Sequence, residues 1–157
     1  MNQYANPVTQ AYSLEKVLIV MSPEDCETAQ KLAIELALRG ANVQAENDDI
    51  SAAVLLEHNM YDVVITGIEF PHVAQYVRSK PAENRPLAVA VSTNGVKADV
   101  KLYDAGDLPA YAKSGLLEDH FRELRTLQAK KAEDDSPEMT DALLEIRLMD
   151  ADAFGGR

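Results

Sequence analysis

Cysteine, tryptophan and basic residues are scarce in this sequence of 157 residues. Its only cysteine is Cys26, which excludes an intrachain disulfide and a metal site built from several thiolates. Lys and Arg number 15 against 26 Asp and Glu, for a net charge of −11. Because such a charge repels polyphosphate backbones, we expect no nucleic-acid partner.

Long apolar runs are also missing. Segments such as Val17–Val20 span only a few residues, far below the roughly 20 that cross a bilayer. The first 13 residues hold neither a basic cluster nor an apolar run, so they lack the features of a secretory signal. We therefore expect a cytoplasmic protein that does not interact with the membrane.

Motifs for metal, cofactor or catalytic chemistry are not evident. The three histidines are scattered, without a spacing that brings two of them to one metal ion. The residues after the first apolar run, Met21 to Glu24, contain no glycine for a phosphate-binding loop. These absences predict no metal ion, no cofactor and no enzymatic activity.

Short apolar runs alternate with helical patterns between residues 14 and 132. The strongest runs are apolar throughout, which is typical of parallel strands buried on both faces. The predicted strands are 17–20, 41–45, 63–66, 86–91 and 110–113. Such alternation predicts one α/β domain whose parallel sheet is covered by helices on both faces.

The two ends of the chain differ from this domain. Residues 1–13 are polar and aperiodic, and are predicted to form a flexible arm. Residues 133–157 are strongly acidic, and Ser136 followed by Pro137 predicts the start of a helix. The apolar stripe of this helix consists of Met139, Leu143, Ile146 and Met149. It either packs on its own domain or docks on a partner or a second copy.

The third predicted strand and the first strand-helix unit carry recognisable spacings. Asp62 opens the third strand, Gly67 lies five residues later and Pro71 nine residues later. The helix after the first strand ends at Arg39-Gly40. In these features the chain resembles the receiver domain of bacterial response regulators.

Two more features fit the same register, so that the resemblance covers Lys16 to Lys131. Ala105-Gly106 precedes Lys113 at the family's spacing, and Ser92 or Thr93 supplies a hydroxyl at the end of the fourth strand. The resemblance implies a flavodoxin-like, five-stranded parallel sheet in the order 2-1-3-4-5. The acidic extension adds a C-terminal helix to that domain.

The residues that carry the family's phosphorylation chemistry are absent. The phosphoacceptor position falls on Gly67, and the acidic pair that holds Mg²⁺ falls on Met21 and Ser22. With Ser92, Thr93 and Lys113, these residues make up a degenerate phosphorylation site. Since Lys113 has no phosphoryl group to bind, we expect it to form an ion pair with Glu69.

The resemblance implies a pseudo-receiver, which cannot be phosphorylated and acts as an interaction or signalling adaptor in two-component-type regulation. Its partner is expected to be a signalling protein, and homodimerisation stays open. Receivers use the last strand and its flanking helices for contacts, which points to Ala110 and Tyr111 beside the apolar stripe of the tail. Two alternatives remain: a ligand sensor that uses the vacated cleft, and the N-terminal regulatory part of a longer protein.

Overall fold

The structure, a computed structural model, describes residues 14–67, 69–81, 85–91, 98–134 and 147–149. The strands are β1 (Lys16–Val20), β2 (Asn42–Glu46), β3 (Val63–Thr66), β4 (Leu87–Val91), β5 (Val100–Leu102) and β6 (Arg147–Met149). The helices are α1 (Cys26–Leu38), α2 (Asp49–His58), α3 (Pro71–Arg78), α4 (Leu108–Ser114) and α5 (Leu116–Asp134). Short 3₁₀ helices lie at Pro23–Asp25 and Ala105–Asp107.

All strand pairs in the sheet are parallel, and the order is β2-β1-β3-β4-β5-β6. The first five strands therefore have the predicted order 2-1-3-4-5, which confirms the flavodoxin-like α/β fold. Every residue of β3 and β4 is buried, as expected for strands covered on both faces.

The core consists of two apolar layers, one on each face of the sheet. Successive strand residues point to opposite faces, so Ile19 and Ile65 belong to one layer whereas Leu18 and Val64 belong to the other. The first layer includes residues of α1, α4 and α5, among them Leu36, Tyr111 and Phe121. The second includes residues of α2 and α3, among them Leu56 and Val77. No helix in the described residues is long and apolar enough to cross a membrane.

The fifth strand lies elsewhere than predicted. Residues 110–113 belong to helix α4, and the strand is Val100–Leu102. A proline in the first turn of α4 favours a helix start. The buried residues Leu108, Tyr111 and Ala112 recur at helical rather than strand spacing. Gly115, with φ of +89°, ends the helix in a left-handed conformation that glycine adopts readily.

The prediction of a tail helix is also wrong at the C-terminal end of that helix. Arg147–Met149 forms β6, in parallel register with β5, so Met149 is not a helical residue. A strand at this position pairs with backbone groups of β5 that a five-stranded sheet would leave open. Met139, Leu143 and Ile146 lie outside the described residues, as does the predicted arm at 1–13.

Candidate functional site

The segments that follow β1 and β3 meet at the carboxyl edge of the sheet. The amide of Gly67 donates a hydrogen bond to the carbonyl of Val20 at 2.8 Å, and the amide of Met21 donates to the carbonyl of Glu46 at 3.1 Å. Met21 and Ser22 are buried, and Met21 lies beside Gly67. Ser92 and Thr93, which the resemblance assigns to the same site, lie outside the described residues.

The space beside Gly67 is occupied. A Cβ atom at this residue would lie 3.3 Å from Oε1 of Glu69 and 3.4 Å from Cγ of Met21. The first distance is closer than ordinary van der Waals contact, so a side chain at Gly67 would shift the carboxylate at the end of the exposed Glu69 side chain slightly, by a few tenths of an ångström. The contact with Met21 is an ordinary one.

Carboxylates from three loops surround this edge. Partial burial raises the pKa of Asp25, and the nearby charges of Glu69 and Asp104 raise it further. In the described part of the chain, no group of three or more His, Cys, Asp or Glu residues is arranged to hold a metal ion. Asp25, Glu69 and Asp104 therefore bring three negative charges close to one another at this edge.

Two hydroxyl groups at the same edge lack partners. Oγ of Ser22 and Oγ1 of Thr66 are buried, and within the described residues neither has a hydrogen bond. A buried hydroxyl without a partner costs about 1 to 3 kcal/mol. Within the described residues, Ser22 and Thr66 are therefore buried polar groups of this edge that stay unsatisfied.

Lys113 lies away from the strand ends, which corrects its predicted role. It belongs to α4, its side chain is exposed, and its backbone carbonyl accepts a hydrogen bond from Nη2 of Arg39 at 2.6 Å. Among the ion pairs of the described residues, none joins Lys113 to Glu69. The lysine within the fifth strand is Lys101, paired in register with Ala90. The alternation Val100-Lys101-Leu102 is the sequence signal for that strand.

Tyr111 is a core residue, which removes it from the predicted contact surface. Its side chain is fully buried in the layer beneath α4 and α5, and its hydroxyl lies 2.6 Å from Nδ1 of His120. The two rings stack with centroids 5.7 Å apart. Ala110, the neighbouring residue in the prediction, is exposed on α4.

A groove between α2 and α3 presents apolar surface that the sequence did not single out. Its cavity measures about 340 Å³ and is lined by Asp49, Ile50, Ala53, Val54, Leu56, His72, Val73 and Tyr76. Nε2 of His72 lies 2.5 Å from Oδ2 of Asp49. The Tyr76 hydroxyl donates a hydrogen bond to Glu57, so polar contacts join the two helices near both ends of the groove.

No protein-family model, curated protein or solved structure matches the chain. The resemblance to receivers therefore rests on residues of this sequence and stays a prediction. Asp62, Gly67 and Pro71 keep their expected places around β3, and Arg39-Gly40 follows α1. The spacing between Gly106 and Lys113 no longer supports the resemblance, because both residues lie beyond the fifth strand.

Proposed function

We propose that this chain is a receiver-like signalling module that acts by binding another protein, without phosphorylation and without enzymatic activity. The proposal places it in the cytoplasm of a bacterium, with a partner from a two-component-type pathway, and includes homodimerisation as one mode of assembly. The observation that carries it is the identity of Gly67: the residue that follows β3, where the resemblance places the phosphoacceptor, has no side chain to accept a phosphoryl group.

Loss of the phosphoacceptor is accompanied by loss of its surroundings. Acceptance of a phosphoryl group by a receiver needs a carboxylate at the end of β3 and carboxylate ligands for Mg²⁺ after β1. Gly67 offers no side chain, and Met21 and Ser22 are poor ligands for a hard cation. Among the carboxylates that remain, the pKa of Asp25 is raised, first by its partial burial and then by the charges of Glu69 and Asp104.

The surface supports a binding role. Among the described residues, large apolar side chains are exposed at Ile34, Leu38, Ile50, Val54, Met60 and Tyr103. Single exposed apolar residues are common, but Ile50 and Val54 share one helix face and line a groove. A fold that keeps its sheet while losing its reactive groups can still transmit a signal through such contacts.

A second candidate function, ligand sensing, is favoured by a different cavity. A space of about 470 Å³ lies between α1 and the ends of β1 and β2, lined mainly by small and apolar residues such as Ala29, Ala33 and Ala45. Cys26 also lines it, and no other thiol is present in the sequence. Small molecules that slow alkylation of Cys26 by iodoacetamide, in proportion to their occupancy of this cavity, would support sensing.

Phosphorylation is the direct test of the main proposal. The wild-type chain and the Gly67→Asp variant are incubated with acetyl phosphate and Mg²⁺, beside a receiver with a complete site as positive control. Intact-mass spectrometry is expected to show no phosphoryl adduct on either protein, because the variant still lacks the metal ligands. Partners captured from native extract should be the same with and without acetyl phosphate. A stoichiometric, hydroxylamine-sensitive adduct on the wild-type chain would refute the proposal.

A further inference from the structure

The groove between α2 and α3 has the apolar surface of a helix-binding site. Ile50 is 74% exposed and Val54 53% exposed, although both are large and apolar. They lie four residues apart on α2, so they are neighbours on one face of the helix. Across the groove, α3 contributes Val73 and Tyr76. The four side chains form a continuous apolar floor and wall.

The rim of this groove is acidic. Asp49 and Glu57 lie near its two ends, eight residues apart on α2, which corresponds to about 12 Å along the helix. A hydrogen bond from His72 is the main cause that lowers the pKa of Asp49, and one from Tyr76 is the main cause that lowers the pKa of Glu57. Both carboxylates are therefore ionised at neutral pH. Asp48, the N-cap of α2, adds a third negative charge.

Cationic groups beside the groove do not balance these charges. Lys80 lies after α3, with Nζ 4.8 Å from the centroid of the Tyr76 ring, and its charge also lowers the pKa of Glu57. His72 is hydrogen-bonded to Asp49. Among the described residues, three carboxylates on α2 face Lys80 and the two histidines His58 and His72, and a histidine is a weaker source of positive charge at neutral pH than a lysine. The groove therefore keeps a negative potential.

The negative charge of the rim determines which kind of segment can bind in the groove. The C-terminal segment of this chain, residues 133–157, holds eight acidic and two basic residues, so the rim repels it. A second copy carries a net charge of −11 and is repelled in the same way. An apolar floor between carboxylates about two helical turns apart matches an amphipathic helix with apolar residues on one face and Lys or Arg beside them.

We propose that the groove between α2 and α3 binds a basic amphipathic helix of another protein. Apolar side chains of the partner helix pack against Ile50, Val54 and Tyr76, while its cations pair with Asp49 and Glu57. This inference rests on the proposed binding role and adds to it the place of contact and the chemistry of the partner.

Peptide binding tests the groove directly. The probe is a fluorescein-labelled synthetic helix of Leu and Lys with the Leu residues on one face, and its counterpart replaces every Lys with Glu. Anisotropy titrations at physiological salt are expected to show binding of the Leu-Lys peptide and none of the Leu-Glu peptide. The double variant I50S/V54S should weaken binding by about tenfold or more, since two apolar contacts are lost.

Matched variants separate this groove from general charge attraction. In I34S/L38S, two apolar residues of α1 that are also largely exposed are replaced outside the groove, and affinity should stay unchanged. The variant D49N/E57Q should weaken binding about threefold to tenfold and reduce its salt dependence. Amide chemical shifts of the wild-type protein, measured during titration, should move along α2 and α3, a readout that does not depend on any variant.

Three results would overturn the inference: unchanged affinity of I50S/V54S, equal loss in I34S/L38S, or equal binding of the Leu-Glu peptide. Circular dichroism of each variant checks that the fold is kept. If these results appear while acetyl phosphate leaves the chain unmodified and partner capture persists, the groove is not the binding site, but the proposed function stands. If the chain accepts a phosphoryl group, the proposed function fails whatever the peptide does.

Discussion

The absence of one side chain at Gly67 changes the chemistry of the strand ends. Met21 and Glu69 approach the place where a Cβ would lie, so a side chain at this position would lie next to one apolar and one acidic group. Asp25 and Asp104 add further negative charge nearby. A carboxylate introduced at Gly67 would therefore add electrostatic repulsion.

This repulsion can be measured with two variants of equal shape. Gly67→Asp is expected to be less stable than Gly67→Asn by about 1 kcal/mol at pH 7, because only the former places a second charge beside Glu69. Urea unfolding of both variants gives the difference. It should vanish below about pH 4, where an aspartate is protonated. Equal stability at pH 7 would show that Glu69 moves away at no cost.

The buried carboxylate of Asp99 connects α3, β4 and the segment before β5 through polar contacts. Its Oδ2 accepts a hydrogen bond from the amide of Ala88 at 2.8 Å, and its Oδ1 pairs with Arg78. Burial raises the pKa of Asp99, which the amide of Ala88 and the charge of Arg78 oppose. Asp99→Asn removes a carboxylate whose ionisation is opposed by burial, but unlike Asp25 this carboxylate has a partner, and its loss leaves the largely buried guanidinium of Arg78 without a counter-ion. The second effect is the larger one, so the variant should cost about 3 kcal/mol of unfolding free energy.

The exposed pair of Arg122 and Asp119 is the matched control for that prediction. Both of its side chains are largely in water, so Asp119→Asn should cost less than about 1 kcal/mol. Guanidinium unfolding of the two variants under one buffer gives the comparison. Similar losses at both positions would contradict the role assigned to burial.

At the scale of elements, the C-terminal half departs most from the prediction. A helix replaces the predicted strand at 110–113, which moves Lys113 to the surface and Tyr111 into the core. A strand replaces the end of the predicted tail helix. Both changes follow from packing between distant segments, because β5 needs a partner on its open edge and α4 lies against α1 and α5.

Truncation tests the contribution of β6. A chain that ends at Asp134 loses the strand and leaves β5 as the sheet edge, so its unfolding free energy should fall by about 1 to 3 kcal/mol. A chain that ends at Met149 keeps β6 and should match the full-length protein. Thermal unfolding and native mass spectrometry of the three proteins also show whether the segment supports a dimer. An unchanged stability after the longer truncation would contradict the role of β6.

For the molecule as a whole, the ionisation of some carboxylates opposes folding, whereas the ionisation of others favours it. The pKa of Asp25 is raised, first by burial and then by Glu69 and Asp104, so its ionisation opposes folding above the usual aspartate pKa of 3.8. The pKa of Asp49 is lowered, mainly by the hydrogen bond with His72, so its ionisation favours folding. The net charge of −11 therefore does not destabilise the fold uniformly.

Two variants should reveal these opposite signs. Asp25→Asn is expected to be more stable than wild type at pH 7, with an advantage that shrinks as the pH falls and is gone below 3.8. Asp49→Asn should be less stable at pH 7, with a deficit that closes as the pH falls through the lowered pKa. Thermal melts between pH 3 and 7 supply both curves. If the two variants are both more stable or both less stable than wild type at pH 7, the opposite effects assigned to Asp25 and Asp49 are wrong.

Local patterns were sufficient for strands β1, β3 and β4, for the identity of the residue after β3 and for the acidity of the chain, whereas the strand order also needed the resemblance to receivers. Continuous apolar runs at β1, β3 and β4 are visible without a partner segment, and the identity of Gly67 needs no coordinates. Tertiary structure decided the rest. The segment at 110–113 is too short to separate strand from helix, and its choice depends on packing against α1 and α5. The pairing of β6 with β5 and the groove at Ile50 arise from residues distant in sequence, because edges and grooves exist only once elements meet.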